Sequence, residues 1–160
     1  MIGHNMLVIS RYTEQDQEGV KAVSLFEDQI LFAATADDFL ESESATMHLY
    51  VIKLNSQIVD FFKIDIAYFN DVDFCSENCI GLRTFVIDQK LQGKGIGKQA
   101  LMALFTYLAK YYSNYQRIYL TVNCKNTVAR RCYETAGFAF TGERYLGGLF
   151  GTQEIMYHDI

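Results

Sequence analysis

Three glycines within five residues, Gly93, Gly95 and Gly97, stand between a strand-forming run, Phe85-Val86-Ile87, and a long amphipathic segment. This junction constrains the fold more than any other feature of the chain. Downstream of it, Ile96, Ala100, Leu104 and Leu108 recur every fourth place in one apolar stripe, while Lys98, Gln99, Met102, Thr106 and Lys110 fall largely off it. A strand must therefore end, turn through residues lacking Cβ atoms and open directly into a helix. Free backbone N–H groups and the positive end of the helix dipole face outward at such a turn, so a phosphate fits there. A tight strand-to-helix turn without a ligand would use glycines in the same way.

The remaining pattern alternates strands and helices. The spacing predicts a first strand over Met6–Tyr12, then a helix capped by Thr13, with Asp16 at capping-box distance and Val20, Val23, Phe26 and Ile30 at helical intervals. A second short helix is expected over Asp37–Ser44. Two β-rich runs, Met47–Leu54 and Gln57–Phe69, flank an Asn55-Ser56 hairpin turn, and the polar, acidic stretch Asn70–Asn78 leads to a strand over Cys79–Asp88. After the amphipathic helix come a strand at Arg117–Asn123 and a helix from an Asn126 N-cap to Ala136, with Gly137 as its left-handed stop and Phe138 as the accompanying apolar contact. Strands over Phe138–Arg144 and Phe150–His158, joined by a Gly147-Gly148 turn, close the chain. No repeat or domain boundary interrupts residues 1–160. The expected architecture is a single α/β (α+β) domain: one mixed, mostly antiparallel central sheet with helices on both faces.

Composition removes several other classes. Of 160 residues, 50% are hydrophobic, 11 are Tyr, 12 are Phe and none is Pro, which excludes a disordered, collagenous or Pro-linked chain. The apolar run Met6–Ile9 is too short for a signal-peptide core, and no stretch approaches the ~20 apolar residues that span a bilayer. A soluble, cytoplasmic protein without membrane contact is the expectation. Cys75, Cys79, Cys124 and Cys132 form no CxxC pair and have no neighbouring His, so no metal site is expected. Free thiols are their ordinary state in a reducing compartment, with Cys75–Cys79 or Cys124–Cys132 disulfides as the alternative.

Charge is segregated along the chain. Residues 1–88 hold fifteen acids against five bases, residues 89–133 hold eight bases and no acid, and residues 134–160 hold four acids and one base, giving −5 in all. The acid-free segment carries Lys90, Lys94, Lys98, Lys110, Arg117, Lys125, Arg130 and Arg131, and it contains the glycine junction. An anion is drawn to it, while most of these bases also fit a plain solvated face. The run Lys110-Tyr111-Tyr112-Ser113-Asn114-Tyr115-Gln116-Arg117 could touch nucleic acid, but the negative total and the absence of a nucleic-acid motif argue against that partner.

Among phosphate loops, the Walker pattern fails twice, because Gln92 stands at its first glycine and Gln99 at its Ser/Thr. Gly95-x-Gly97-x-x-Ala100 matches a dinucleotide fingerprint, yet no Asp or Glu follows before Glu134 to hold a ribose. The third pattern fits: Gln92-x-x-Gly95-x-Gly97 after a strand and before a long helix resembles the acetyl-CoA loop of the GNAT N-acetyltransferase family. The resemblance runs from about Leu82 to Phe138, through Phe85-Val86-Ile87-Asp88 and through Thr121-Val122-Asn123-x-x-Asn126-x-x-Ala129-x-x-x-Tyr133-x-x-x-Gly137-Phe138. Weaker likeness to the polyamine branch lies in Glu27-Asp28-Gln29 and Ile58-Val59-Asp60-Phe61-Phe62, where Asp60 replaces a usual glycine.

The resemblance implies acetyl-CoA as cosubstrate, no metal, and a small amine acceptor; a homodimer is compatible with it. By the same resemblance, backbone groups of Phe85, Val86 and Ile87 hold the pantetheine and acetyl carbonyl, and Gln92, Gly93, Lys94, Gly95, Ile96, Gly97 and Lys98 wrap the pyrophosphate. Asn126 bonds the cofactor arm, and Tyr133 lies beside the sulfur as its proton donor; a helix N-cap and a core ring are the ordinary roles of those two residue types. A backbone N–H near Val86 suits a developing oxyanion. Phenols titrate near ~10 and thiols near ~8.5, so the proton transfer itself has little driving force. The base is not readable: Glu77, Asp73, Glu27 and Glu154 are all candidates. Glu27, Asp28 and Glu77 are the acids expected at the acceptor. A non-catalytic acyl-CoA-binding module would keep the loop and lack an acid at the sulfur.

Overall fold

The computed structural model describes residues 7–23, 36–87, 93–146 and 151–160, with backbone only for Val86 and Ile87. Its strands are β1 (Leu7–Arg11), β2 (Met47–Leu54), β3 (Gln57–Asp65), β4 (Cys79–Ile87), β5 (Arg117–Asn123), β6 (Ala139–Tyr145) and β7 (Gln153–Asp159), in the sheet order β1-β2-β3-β4-β5-β7-β6. Neighbours are antiparallel except β4 and β5, which are parallel. The helices are α1 (Gln17–Ala22), α2 (Ala36–Leu40), α3 (Ile96–Tyr111) and α4 (Thr127–Ala136). The mixed, mostly antiparallel α/β expectation is met.

Local chemistry explains the boundaries. Asn55 and Ser56 both take positive φ, 51° and 73°, the pair of angles that a two-residue hairpin turn needs. The Thr13 N–H donates to Asp16 Oδ2 at 3.0 Å and opens α1 through a short 3-10 turn. α1 ends at Ala22, where Val23 is extended at ψ 124°, and the expected helical spacing beyond it falls on residues that the structure does not describe. Phe26, Ile30 and the Gly147-Gly148 turn lie outside the described residues. The second helix is shorter than its pattern, ending at Leu40, where the Ser42 hydroxyl donates back to the Phe39 carbonyl at 2.7 Å. At the end of α4, Gly137 takes φ 128°, and the Phe138 and Gly137 N–H groups return to the carbonyls of Tyr133 and Glu134.

Strand alternation sends side chains to two cores. Tyr50, Ile52, Phe62, Ile64, Ile80 and Leu82 join Leu101, Leu104 and Leu108 of α3, while Leu49, Val51 and Phe61 join Val20 of α1 and Phe39 of α2. Helices α3 and α4 therefore cover one face, and α1 and α2 cover part of the other.

Candidate active site

The site begins with a break in the sheet. Parallel pairing between β4 and β5 covers only Cys79↔Arg117, Ile80↔Ile118 and Gly81↔Tyr119. Beyond Gly81, β4 stays with β3 as far as Asp60↔Ile87, and β5 stays with β7 as far as Asn123↔Gln153. The two strands part, and the β4 backbone from Leu82 onward has no strand partner in β5.

A bulge re-aims that backbone. The β3–β4 register slips between Phe61, opposite Val86, and Lys63, opposite Arg83, so Thr84 and Phe85 together face Phe62. Thr84 takes φ 54°, a left-handed angle that costs a non-glycine residue about 1–2 kcal/mol. Strain of this kind is held in place by surrounding structure and gathers at functional sites. The Phe85 ring meets Phe62 at 6.3 Å and, across the opening, Tyr133 of α4 at 6.0 Å. Two expected site residues, distant in sequence, thus meet at the mouth of the gap.

Tyr133 is partly exposed, and its ring packs on Phe138 at 5.6 Å. Burial, then the neighbouring Cys132 and Asp60, push its hydroxyl well above the ordinary tyrosine range. The same causes, burial and Asp60, raise the Cys132 thiol to about 11. Asp60 itself is fully buried in β3. Tyr133 therefore stays protonated, and its mismatch with a thiol is wider than the free side chains suggest.

Gly93 and Gly95 take φ 81° and 78°, and Gly95 is the N-cap of the 16-residue α3. Among the described residues a Cβ built on either meets nothing within 4 Å, so the left-handed angles, not crowding by those residues, demand glycine. Ile96 is buried and anchors the turn, while Lys94 and Lys98 are exposed. Open backbone, a helix start and two cations fit a diphosphate. Gln92 lies outside the described residues. Asn126 takes up its cap role, its side-chain oxygen accepting from the Ala129 N–H at 3.3 Å; the amide NH₂ is a further donor.

The acids are less convergent. Glu27 and Asp28 lie outside the described residues. Glu77 is exposed on the turn before Cys79, where β4 and β5 are still paired, roughly 20 Å of strand from Phe85. Asp73 is exposed in the loop after β3, and Glu154 of β7 is engaged by Arg130, which also holds Glu134 at 2.8 Å. Two bases expected on solvated faces are in fact ion-paired: Arg130, and Arg117, which bonds Asp159 at 2.8 Å and stacks 3.9 Å from the Tyr157 ring. All four cysteines are free thiols. Among the described residues no His/Cys/Asp/Glu cluster is arranged for a metal, and no helix is long and apolar enough to cross a membrane.

The sequence reading missed the bulge at Thr84 and the packing of Tyr68 onto Gly81, whose Cβ would lie 2.3 Å from the ring. A lone glycine within a strand was the available signal for the second.

A sheet forked between two parallel strands, with an open, glycine-capped helix start following the forked strand, is the arrangement into which a long phosphate-bearing ligand fits with its tip at the sheet centre. The acetyltransferase (GNAT) family model matches residues 11–138, and the chain belongs to that family. A spermine/spermidine N(1)-acetyltransferase of Bacillus subtilis (strain 168) is 44% identical over 69 residues, which is 43% of this chain and 45% of the relative. The chain thus aligns with less than half the length of that curated relative. An aminoglycoside acetyltransferase, AAC(6')-Ib, solved with coenzyme A, shares the fold at TM-score 0.78 and 18% identity, covering 96% of this chain and 95% of that one. A Vibrio cholerae spermidine N-acetyltransferase solved with coenzyme A and spermine does so at TM-score 0.70 and 17% identity, covering 96% and 95%.

Proposed function

We propose that this protein transfers the acetyl group of acetyl-CoA to a primary amine of a small cationic acceptor, a di- or polyamine. The observation that carries the transfer reading is the meeting of Phe85 and Tyr133 across the β4–β5 opening, beside the glycine turn. Bound acetyl-CoA would supply an acetyl group activated as a thioester. Gln92 to Lys98 hold its pyrophosphate by backbone N–H groups and the charges of Lys94 and Lys98, and the Asn126 amide donates to its arm. Backbone groups of the bulged stretch Phe85, Val86 and Ile87 hold the pantetheine and the acetyl carbonyl, and an N–H near Val86 faces the carbonyl oxygen, fixed before the reaction. The Tyr133 hydroxyl holds a proton at the sulfur, and its ring with that of Phe85 keeps water from the thioester. The neutral amine attacks the thioester carbonyl directly, so no nucleophilic side chain is required: the C–N bond forms, the C–S bond breaks, Tyr133 gives its proton to the departing sulfur, and the proton shed by the nitrogen restores the Tyr133 hydroxyl.

The polyamine reading is supported by the name of the Bacillus relative and by the acidity of residues 1–88, fifteen acids against five bases. Of those acids, Asp37, Glu41, Asp73 and Glu77 are exposed, Glu77 at the end of β4 away from Phe85. The attraction is weaker than the sequence total suggests, since Glu43 is 3.5 Å from Arg11 and Asp71 is 2.9 Å from Arg83. Thiol release from acetyl-CoA, followed across polyamines, amino acids, aminoglycosides and N-terminal peptides, tests both levels. Spermidine or spermine should be preferred, with a KM that rises with ionic strength. Efficient acetylation of an acidic amino acid with polyamines inert at low salt would overturn the acceptor, and coenzyme binding with no turnover on any amine would favour a binding module.

A further inference from the structure

We propose that Phe62 and Tyr50 are positioning residues for acetyl transfer, members of a row of rings laid across the sheet that sets where Phe85 stands against Tyr133. The row follows the strand pairing. Tyr50 of β2 and Phe62 of β3 are direct cross-strand partners, their rings stacked at 5.2 Å with planes 7° apart. Phe62 is also the residue that the β4 bulge faces, and of Thr84 and Phe85 opposite it, the second brings a ring whose centroid lies 6.3 Å away. Phe85 then meets Tyr133 of α4 at 6.0 Å across the opening. Each spacing lies in the range in which aromatic pairs attract.

Hydroxyls fix the far end of the row. Phe62 is fully buried and Tyr50 is 2% exposed, so the Tyr50 hydroxyl needs partners inside the fold. The Ala45 carbonyl accepts from His48 Nε2 at 3.2 Å, which sets the tautomer and leaves Nδ1 to accept from the Tyr112 hydroxyl at 2.8 Å. Tyr112 in turn accepts from Tyr50 at 2.6 Å, and Tyr50 accepts from Tyr107 at 3.4 Å. Four hydrogen bonds thus run in one direction and pin the Tyr50 ring between β2 and α3. With Tyr50 pinned, Phe62 is held against the bulge, and Phe85 is confined between Phe62 and Tyr133. In the acetyl-transfer reading the residue after Phe85 offers the N–H that meets the carbonyl oxygen, and Tyr133 protonates the sulfur, so the Phe85 ring sets the spacing between the two groups. Misplacement of about 1 Å can cost on the order of 100-fold in rate. The inference rests on that reading and deepens it.

Tyr50→Phe keeps the stack and removes the pin, Tyr112→Phe removes the same pin from its other partner, and Phe62→Leu keeps an apolar side chain while removing both ring contacts. In each, kcat on the best amine should fall fivefold or more while KM for the amine and Kd for coenzyme A stay within twofold, a split that lost stability alone does not produce. The Tyr50→Phe/Tyr112→Phe double variant should fall no further than the lower single, because both remove the Tyr50–Tyr112 bond. The preference for acetyl-CoA over coenzyme A, measured by calorimetry without acceptor, should shrink, since the two ligands differ only at the acetyl group. Should Phe62→Leu not fold, the two hydroxyl variants carry the test. A kcat within twofold of wild type in either hydroxyl variant, or a kcat lost in step with coenzyme A affinity, would overturn the row. If wild type acetylates no amine, the functional reading fails, and the acetyl-CoA preference then decides the row independently: shrunken in the variants it stands, unchanged it falls.

Discussion

At the residue scale, left-handed backbone marks where identity is least exchangeable. Gly95 holds φ 78° at the head of α3, with nothing among the described residues within 4 Å of a Cβ built on it. Gly95→Val forces a β-branched residue into that angle at about 1–2 kcal/mol, a cost the fold can bear, and fills the space before the helix. Acetyl-CoA affinity should drop by about 100-fold or more, about 2.7 kcal/mol, while circular dichroism stays native. Unchanged affinity by calorimetry would defeat the loop assignment. Tyr133 makes a different claim. Burial holds its hydroxyl protonated far beyond neutral pH, so it can act only as a donor. Tyr133→Phe should cut turnover about tenfold or more with acetyl-CoA affinity nearly kept. An acid is lost only above its own pKa, and this one is raised, so no falling limb between pH 7 and 10 should belong to Tyr133. Equal turnover of wild type and variant at every pH would return the residue to the core.

At the scale of elements, helix α4 shows how one side chain can serve fold and ligand together. The Asn126 side-chain oxygen caps the helix, and in the proposed reading its amide nitrogen is the group that donates to the cofactor arm. Asn126→Ala loses both and should cost about 1 kcal/mol of stability. Asn126→Asp keeps a capping oxygen and replaces the donor with a charge, so thermal stability should hold while acetyl-CoA affinity falls. If affinity holds in the Asp variant, the residue is a cap only. This helix was legible in the sequence because its signals are local: an N-cap, a glycine stop and a Tyr133–Phe138 contact all lie within thirteen residues. The strand over Arg117–Asn123 and the Asn55-Ser56 turn were legible for the same reason. What no local pattern carries is pairing at a distance. The fork follows from which strands stop pairing, the bulge from a register slip between β3 and β4, and the capture of Glu154 by Arg130 from two elements meeting in space. Long-range charge is read worst of all, since ion pairs such as Arg83–Asp71 cancel charges that a sequence tally counts separately.

For the molecule as a whole, the unusual store is one of buried neutral acids. Tyr50, Tyr107 and Tyr112 share hydroxyl contacts, with Tyr50–Tyr112 at 2.6 Å and Tyr107 donating to Tyr50 at 3.4 Å, and the Tyr112 hydroxyl meets His48 Nδ1 at 2.8 Å. Burial raises all three phenols, and it raises Tyr68 to about 12. The Cys75 thiol is pushed up to about 12 by burial, then by Cys79 and Asp65. Each group keeps its proton in the fold at a pH where the unfolded chain has released it. Between the two values the unfolded state binds fewer protons, so stability falls as pH rises. The stabilisation is whole below about pH 8.5, begins to drain as unfolded thiols ionise, and drains faster above about pH 10 with the phenols. Tyr68 alone corresponds to about 3 kcal/mol by pH 12. A net charge of −5 becomes more negative over the same range and adds repulsion of the same sign. The urea midpoint should therefore hold from pH 7 to 8.5 and decline steadily to pH 10.5. Tyrosinate absorbance should rise in two parts, exposed phenols near pH 10 and the buried set together with unfolding. Tyr50→Phe removes one raised group and should flatten the decline. A midpoint constant to pH 10.5, or tyrosine ionisation complete in the folded protein, would show that the phenol cluster is hydrated and free to ionise in place.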